Sequence, residues 1–356
     1  MKILFLVPYS SEGASNRFRV EQYLPYLKSQ GIDYSIRPFV SSRFFKVLYL
    51  KGKYIEKILY FIQAVWKRLT DIFCLSGYDV IFIHREACLI GPPVIEWLAY
   101  KLRKPIIFDF DDAIFLENFN PVNRLYRFLK FPSKTRAIIK MSKGVIVSNG
   151  FLKEYADRYN SNTCIIPTVV DTDRFRIKEK GCLDKQCVIG WIGSPTTAVY
   201  LDIIFPALKE LSKKYNFIFR IIGAGRPVDI SGIKIENIEW DLKKEIENFQ
   251  DIDIGIYPLP DTLWAQGKAA FKAIQYMSVG IPVVASPVGM ARELIQDGVN
   301  GFLADSAPAW VKKMSILIEQ PDLREKIGIS GRKTIEAEFS VKANACKFLE
   351  VIKLAR

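Results

Sequence analysis

Residues 267–303 read GKAAFKAIQYMSVGIPVVASPVGMARELIQDGVNGFL, and the order of elements within them decides the fold. Gly267 and Lys268 are expected to open a helix on which Phe271, Ile274 and Met277 keep the helical period. Gly280 suits the left-handed position that ends a helix, and Pro282 follows at the usual distance after a stop. Residues 283–285 are a short apolar run, as in a strand buried on both faces. Pro287 and Gly289 make a tight turn at the carboxyl end of that strand. A further helix is expected from about Met290, carrying Arg292 and Glu293. Gly298 and Gly301 then break the chain before a short strand at 302–303. This succession belongs to a doubly wound parallel sheet, whose ligands bind outside the carboxyl ends of the strands. Lys268 at a helix start would meet free N–H groups and a dipole that favour an anion such as phosphate. The same position also suits a solvated lysine.

Outward from this stretch, 356 residues are enough for two domains, each with its own core. Half of the residues are apolar and no segment is of low complexity, which argues against disorder. The opening MKILFLVPYS reads as a first strand, lacking the longer apolar core and cleavage site of a signal peptide. No run reaches the roughly 18 uninterrupted apolar residues of a spanning helix. The six cysteines form no CxxC pair and there is one histidine, which disfavours a zinc site and fits reduced thiols in a cytoplasmic protein. The net charge of +13 is uneven. Residues 1–170 hold 25 Lys+Arg against 14 Asp+Glu, and residues 171–356 hold 26 against 24. A basic half points to an anionic partner: a phospholipid surface, a phosphorylated acceptor or nucleic acid.

Residues 2–7 read as a buried strand, 8–16 as a loop and 17–29 as a helix, the order of a phosphate-cradling unit. Gly13 stands alone rather than in GxGxxG, so the glycine signal is weak. Arg17 near a helix start would oppose the dipole unless an anion is present. Residues 41–75 interleave aromatic and aliphatic residues with seven Lys and Arg and only two acids. A basic amphipathic helix of this kind fits a membrane interface, and it also fits a helix packed on the sheet. Strands at 79–84 and 106–108 end in His84 and in Asp109, Asp111 and Asp112. Strands follow at 144–147 and 164–166, and a charged stretch up to Gln186 reads as the linker. In the second half, strands at 188–191, 217–222 and 252–257 run into Gly193 and Ser194, into Gly223, and into a loop at 259–266. Residues 238–240 form an edge segment ending in Trp240, and the helices from Pro308 look structural.

The stretch 276–303 closely resembles the donor-binding region of retaining glycosyltransferases with the GT-B fold, family 4. More loosely, so does nearly the whole chain. The resemblance implies two facing doubly wound Rossmann-like α/β domains with a cleft between them. The first, residues 1–170, would bind the acceptor and the second, 186–339, the nucleotide sugar, with the helix at 340–356 packing back on the first. It implies retaining transfer of a sugar from a nucleotide-diphosphate sugar, UDP or GDP type, to a glycan or lipid-linked acceptor in cell-surface polysaccharide or glycolipid synthesis. Lys268 and Arg17 would stabilise the leaving diphosphate, His84 would position sugar or acceptor, and Asp111 or Asp112 would take acceptor hydroxyls. Gly13 with Arg17 matches the Gly-x-x-x-Arg pattern of these enzymes. Gly193, Ser194, Gly223, Trp240, Gly289 and Glu293 fall at donor-binding positions, as does Phe271. Gly267 and Gln275 stand where the family has paired glutamates, and the basic pair usual after the strand at 188–191 is missing. No cofactor and no metal are expected, although Asp109 and Asp111 form an Asp-x-Asp pattern that holds a cation in another class of glycosyltransferases.

The implied setting is cytoplasmic and peripheral on the inner face of an anionic membrane, through residues 41–75. An alternative is a catalytically impaired nucleotide-sugar-binding or membrane-surface scaffold protein. An NAD-dependent enzyme is disfavoured by the missing GxGxxG, and nucleic-acid binding by the lack of any recognisable module.

Overall fold

The strands form where the chain runs continuously apolar, because both of their faces are covered by helices. The computed structural model describes all residues except 49, 51, 117–130, 132, 178–185 and 356. It divides into two units, Met1–Thr168 with Asn344–Arg356, and Val169–Ala343. The linker expected up to Gln186 falls mostly on 178–185, outside the described residues.

In the first unit β1 (Lys2–Tyr9), β2 (Asp33–Val40), β3 (Val80–His84), β4 (Ile106–Phe110), β5 (Gly144–Val147) and β6 (Thr163–Ile165) pair in parallel, in the order β2-β1-β3-β4-β5-β6. The winding reverses between β1 and β3, which makes their carboxyl ends the switch point where such sheets place ligands. The helix expected over 17–29 is three short pieces instead: Ala14–Arg19, a 3-10 turn at Glu21–Tyr23, and Leu24–Ser29. Pro25 supplies no N–H for a continuous helix and sits in the first turn of the last piece. Residues 344–356 complete this unit's core. Phe348 stacks on Tyr23 with centroids 4.2 Å apart and rings 4° from parallel, and it also meets Phe82. The segment 41–75 is not one helix but Ser42–Leu48, then Tyr54–Asp71, then a 3-10 turn at Ile72–Gly77.

In the second unit β7 (Cys187–Ile192), β8 (Phe217–Ile222), β9 (Lys234–Ile238), β10 (Ile254–Tyr257), β11 (Val283–Ala285) and β12 (Phe302–Leu303) run parallel in the order β12-β11-β10-β7-β8-β9. Here the winding reverses between β7 and β10. Both units are thus doubly wound α/β sheets, as the apolar runs lead one to expect. The helix expected from Gly267 starts later, at Phe271–Ser278. Gly267 closes the short helix Leu263–Gln266, and Ala270 takes a left-handed φ of 48°, which no helix continues through. The far end is as expected. Gly280 has φ 76°, its N–H donates to Met277 O at 3.0 Å, and Ile281 N–H donates to Tyr276 O at 3.0 Å. After β7 the chain forms a 3-10 turn, Ala198–Ile203, and then the helix Phe205–Ser212 with Pro206 in its first turn.

Tyr276 locks this helix to the sheet. Its hydroxyl donates to Gly190 O at 3.1 Å and accepts from Ile192 N–H at 2.8 Å, while the ring lies flat against Gly255. A Cβ at residue 255 would stand 2.4 Å from Tyr276 Cγ. Gly255→Ala is therefore expected to lower the melting temperature by roughly 4–10 °C, the usual effect of overpacking a core in a unit of this size. An unchanged melt would mean that the ring can move aside despite its two hydrogen bonds.

Candidate active site

In the first unit the ends of β3 and β4 lie in register, with His84 opposite Asp109. His84 Nδ1 is 2.6 Å from Asp109 Oδ2. Arg19, at the end of the helix Ala14–Arg19, donates through Nε to the same oxygen at 3.3 Å and through Nη2 to Oδ1. Its Nη1 donates to Ile166 O at 2.7 Å. His84 and Asp109 are fully buried and Arg19 almost so. Burial alone would raise the Asp109 carboxyl. The Arg19 guanidinium and the His84 hydrogen bond outweigh it and hold the carboxyl below its ordinary value. An ionised carboxylate only accepts, so His84 Nδ1 carries the shared proton, and in the neutral ring Nε2 is an acceptor. Nε2 is buried with no hydrogen-bond partner. Such orphaned buried atoms are rare. His84, which the resemblance implies would position sugar or acceptor, is fully buried and anchored through Nδ1.

Arg85 follows in a left-handed conformation, φ 60°, with its N–H donating to Asp109 O at 2.6 Å. Holding so bulky a residue there costs about 1–2 kcal/mol. Its fork offsets this by spanning both neighbouring carboxylates. Nε donates to Asp111 Oδ1 at 2.6 Å and Nη2 to Asp112 Oδ2 at 2.7 Å. Although burial works the other way, Arg85 pulls the Asp111 carboxyl well below the usual carboxylate range. Asp111 and Asp112, expected to take acceptor hydroxyls, are therefore both paired with one guanidinium, which offsets half of their charge. Among the described residues no group of three or more His, Cys, Asp or Glu side chains is placed to hold a metal ion.

Arg17 is buried, and its Nη1 donates to Ser11 O at 2.7 Å and Glu12 O at 3.1 Å. These carbonyls belong to the loop after β1, so the guanidinium shapes that loop without an anion being needed to explain it. Gly13 packs on Tyr9, where a Cβ would fall 2.5 Å from Tyr9 Cβ.

In the second unit the candidate positions collect at carboxyl ends of strands. Gly193 follows β7, Gly223 follows β8, Trp240 lies just past β9 and Gly289 lies after β11. Gly223 has φ 81°, and a Cβ there would be 2.6 Å from Gly193 O and 3.2 Å from Trp240 Cβ, so these three meet. Gly289 has φ 53°. A Cβ there would strike Gln266 O at 2.6 Å, and its N–H donates to Gln266 Oε1 at 3.1 Å. Ser194 Oγ lies 2.9 Å from Thr196 Oγ1. The result is a rim of backbone and small side chains of the kind that admits a phosphate closely.

Lys268 precedes the helix Phe271–Ser278 instead of opening it. Its ammonium lies 5.7 Å from the centroid of the Trp264 ring. Gln275 is buried, 1% exposed, and its Oε1 accepts from Lys272 Nζ at 3.2 Å. Gly267 is buried, Phe271 half-buried and Glu293 exposed on the helix Met290–Leu294. The sequence reading passed over Lys272, although GKAAFK places a second ammonium four residues after Lys268. It also placed Arg17 and Asp111 in the site, whereas the buried ion pair at the ends of β3 and β4 joins Arg19 and Asp109.

Residues 186–320 match the family described as glycosyl transferases group 1. The capsular polysaccharide biosynthesis glycosyltransferase CapM of Staphylococcus aureus is 24% identical over 183 residues, 48% of this chain and 47% of CapM. The chain spans about half the length of the curated relatives it matches. Over 99% of its length it superimposes on a glycosyltransferase of Rickettsia africae (98% of that chain, TM-score 0.71, 18% identity). It also superimposes on Anabaena HepE in complex with UDP-glucose (99% of each chain, TM-score 0.69, 16% identity). Residues 186–320 are thus similar to the group 1 glycosyltransferases, and the chain shares the GT-B fold of these solved structures.

Proposed function

We propose that the protein transfers a hexosyl group from a nucleotide-diphosphate sugar, of UDP or GDP type, to a glycan or lipid-linked acceptor, with retention at the anomeric carbon. The observation that carries this reading is the glycine-lined rim at Gly193, Gly223 and Gly289, within the stretch matched by the family, with Gly289 packed on Gln266, two residues before Lys268. The small residues there leave room for a diphosphate, and ammonium charge suits one that gains charge as it leaves. In the first unit the orphaned His84 Nε2 would take a hydroxyl of sugar or acceptor. The likeness to CapM supports a place in cell-surface polysaccharide synthesis, and the basic segment 41–75 supports work at the inner face of a membrane.

No metal or other cofactor is needed in this scheme, since cationic side chains meet the phosphate charge. Turnover is expected to survive excess EDTA undiminished. Loss of activity restored by manganese or magnesium would overturn metal independence. A panel of nucleotide sugars read by thermal shift tests the donor: at about a hundred times its dissociation constant the right one stabilises by roughly 2.7 kcal/mol. A second reading, binding without transfer, draws on Gly267 and Gln275, where the paired glutamates of related enzymes are absent. Donor hydrolysis by the purified protein would exclude it.

A further inference from the structure

The helix Tyr54–Asp71 reverses the usual arrangement of a surface helix. Its inner side carries a buried charge. Arg68 donates through Nη1 to Asp71 Oδ2 at 3.1 Å and through Nη2 to Arg37 O at 2.9 Å, which ties the helix to β2. Ala64, Tyr60, Phe61 and Val65 pack beside it on Phe39, Val40 and Phe44. Its outer side is a second apolar face. Ile55, Leu59, Ile62, Trp66, Leu69 and Phe73 follow one another at alternating steps of four and three residues, so they share one line along the helix. All six are exposed, Ile55 by 76%, Trp66 by 70% and Phe73 by 85%. At 1.5 Å per residue the line is about 25 Å long. So large a contiguous apolar surface marks an interaction site.

Its surroundings identify the occupant. Arg43, Lys46, Lys53 and Lys67 are exposed on or beside this helix and on the one before it. The one exposed acid of the segment, Glu56, is already paired with Lys53 at 3.2 Å. A second copy laid against the same face would bring the same positive surplus against itself. A surface of anionic lipid headgroups would neutralise it while the apolar line enters the acyl boundary. Among the described residues no helix is long and apolar enough to cross a membrane. We propose that the helix Tyr54–Asp71 lies in the plane of an anionic bilayer, with Ile62 and Trp66 at the depth of the acyl boundary and the neighbouring Lys and Arg among the headgroups. The inference rests on the membrane reading given above and deepens it, by naming the element that docks and its orientation.

Cosedimentation with vesicles of phosphatidylglycerol and phosphatidylcholine tests it. Binding should exceed that to pure phosphatidylcholine and fall as salt rises. Shallowly brominated lipids should quench tryptophan fluorescence, and Trp66→Phe should remove that quenching. Ile62→Glu, a change on an exposed face, should lower partitioning by about tenfold or more with an unchanged melt. Donor hydrolysis in vesicle-free solution should be the same for Ile62→Glu and wild type. That assay fails only if the transferase reading fails, which keeps the two apart. Equal binding to neutral and anionic vesicles, no binding to either, or a solution dimer dissolved by Ile62→Glu would overturn the proposal, the last assigning the face to a second copy.

Discussion

Asp109→Asn is expected to cost the protein about 3–5 kcal/mol, because it leaves the buried Arg19 guanidinium without its ion-pair partner. For a unit of this size the melting temperature should fall by roughly 6–20 °C. The change also replaces an acceptor of the His84 proton with an amide that can turn either way. His84 then loses its fixed tautomer, and any activity that uses Nε2 should fall further than the melt explains at an assay temperature where the variant is folded. Replacing both partners, Arg19→Met with Asp109→Leu, should recover much of the lost stability but none of the activity, since an apolar pair of similar size is often no worse than a buried ion pair. A variant Asp109→Asn that melts within about 2 °C of wild type would remove the ion pair from the account of the fold. The same carboxylates set the acid limit. Asp109 and Asp111 titrate below their ordinary value in the folded protein. Their stabilisation is therefore full above about pH 4, the ordinary range for aspartate. It is lost as pH falls from there through the depressed values.

The second large effect concerns Lys268. Lys268→Ala should lower turnover by about 100- to 1000-fold, as for other preorganised groups that stabilise charge in the transition state. The melt should hardly change, because the side chain is only partly buried beside Trp264. Lys272→Ala provides the comparison. Lys272 donates to Gln275, so its removal should disturb the packing of the helix start as well as the charge. Near wild-type turnover in Lys268→Ala would take that residue out of the site. Equal losses in both variants would assign the effect to diffuse positive charge.

The two parallel sheets were legible because buried strands are written as unbroken apolar runs, and residues 283–285 between Gly280 and Gly289 show this most clearly. The start of the preceding helix and the continuity of the helical segment after β1 were harder to read. Ala270 adopts a left-handed backbone that its side chain does not advertise, and Pro25 divides a segment whose apolar spacing looks continuous. The positions of the candidate glycines could be read from motif and spacing, but not what they touch. That Gly223 leaves room for Gly193 O depends on β7 and β8 lying side by side. Least legible was the pairing of charges. Arg19 and Asp109 are 90 residues apart in the sequence, and nothing local distinguishes Arg19 from Arg17. The choice is made by the sheet order β1-β3-β4, which brings Asp109 and Ile166 to the guanidinium of Arg19 and leaves Arg17 with the carbonyls of its own loop.

The return of residues 344–356 to the first unit governs the order in which the protein can be assembled on the ribosome. Tyr26 and Cys346, in contact in the folded unit, are 320 residues apart, so the first half of the chain is made long before its last piece. The entropy of closing so long a loop grows only with the logarithm of its length, so the final stability suffers little. The delay is one of time. Translation at about 5–20 residues per second leaves the faces of Tyr23 and Phe82 that Phe348 will cover open for many seconds. The second unit, Val169–Ala343, emerges whole in that interval and can finish first, against the usual order of domains during synthesis. A nascent chain stalled before residue 344 would present an apolar patch to chaperones. An expressed fragment of residues 1–168 would keep that patch permanently, and would need residues 344–356, supplied in cis or as a separate peptide, to stay in solution.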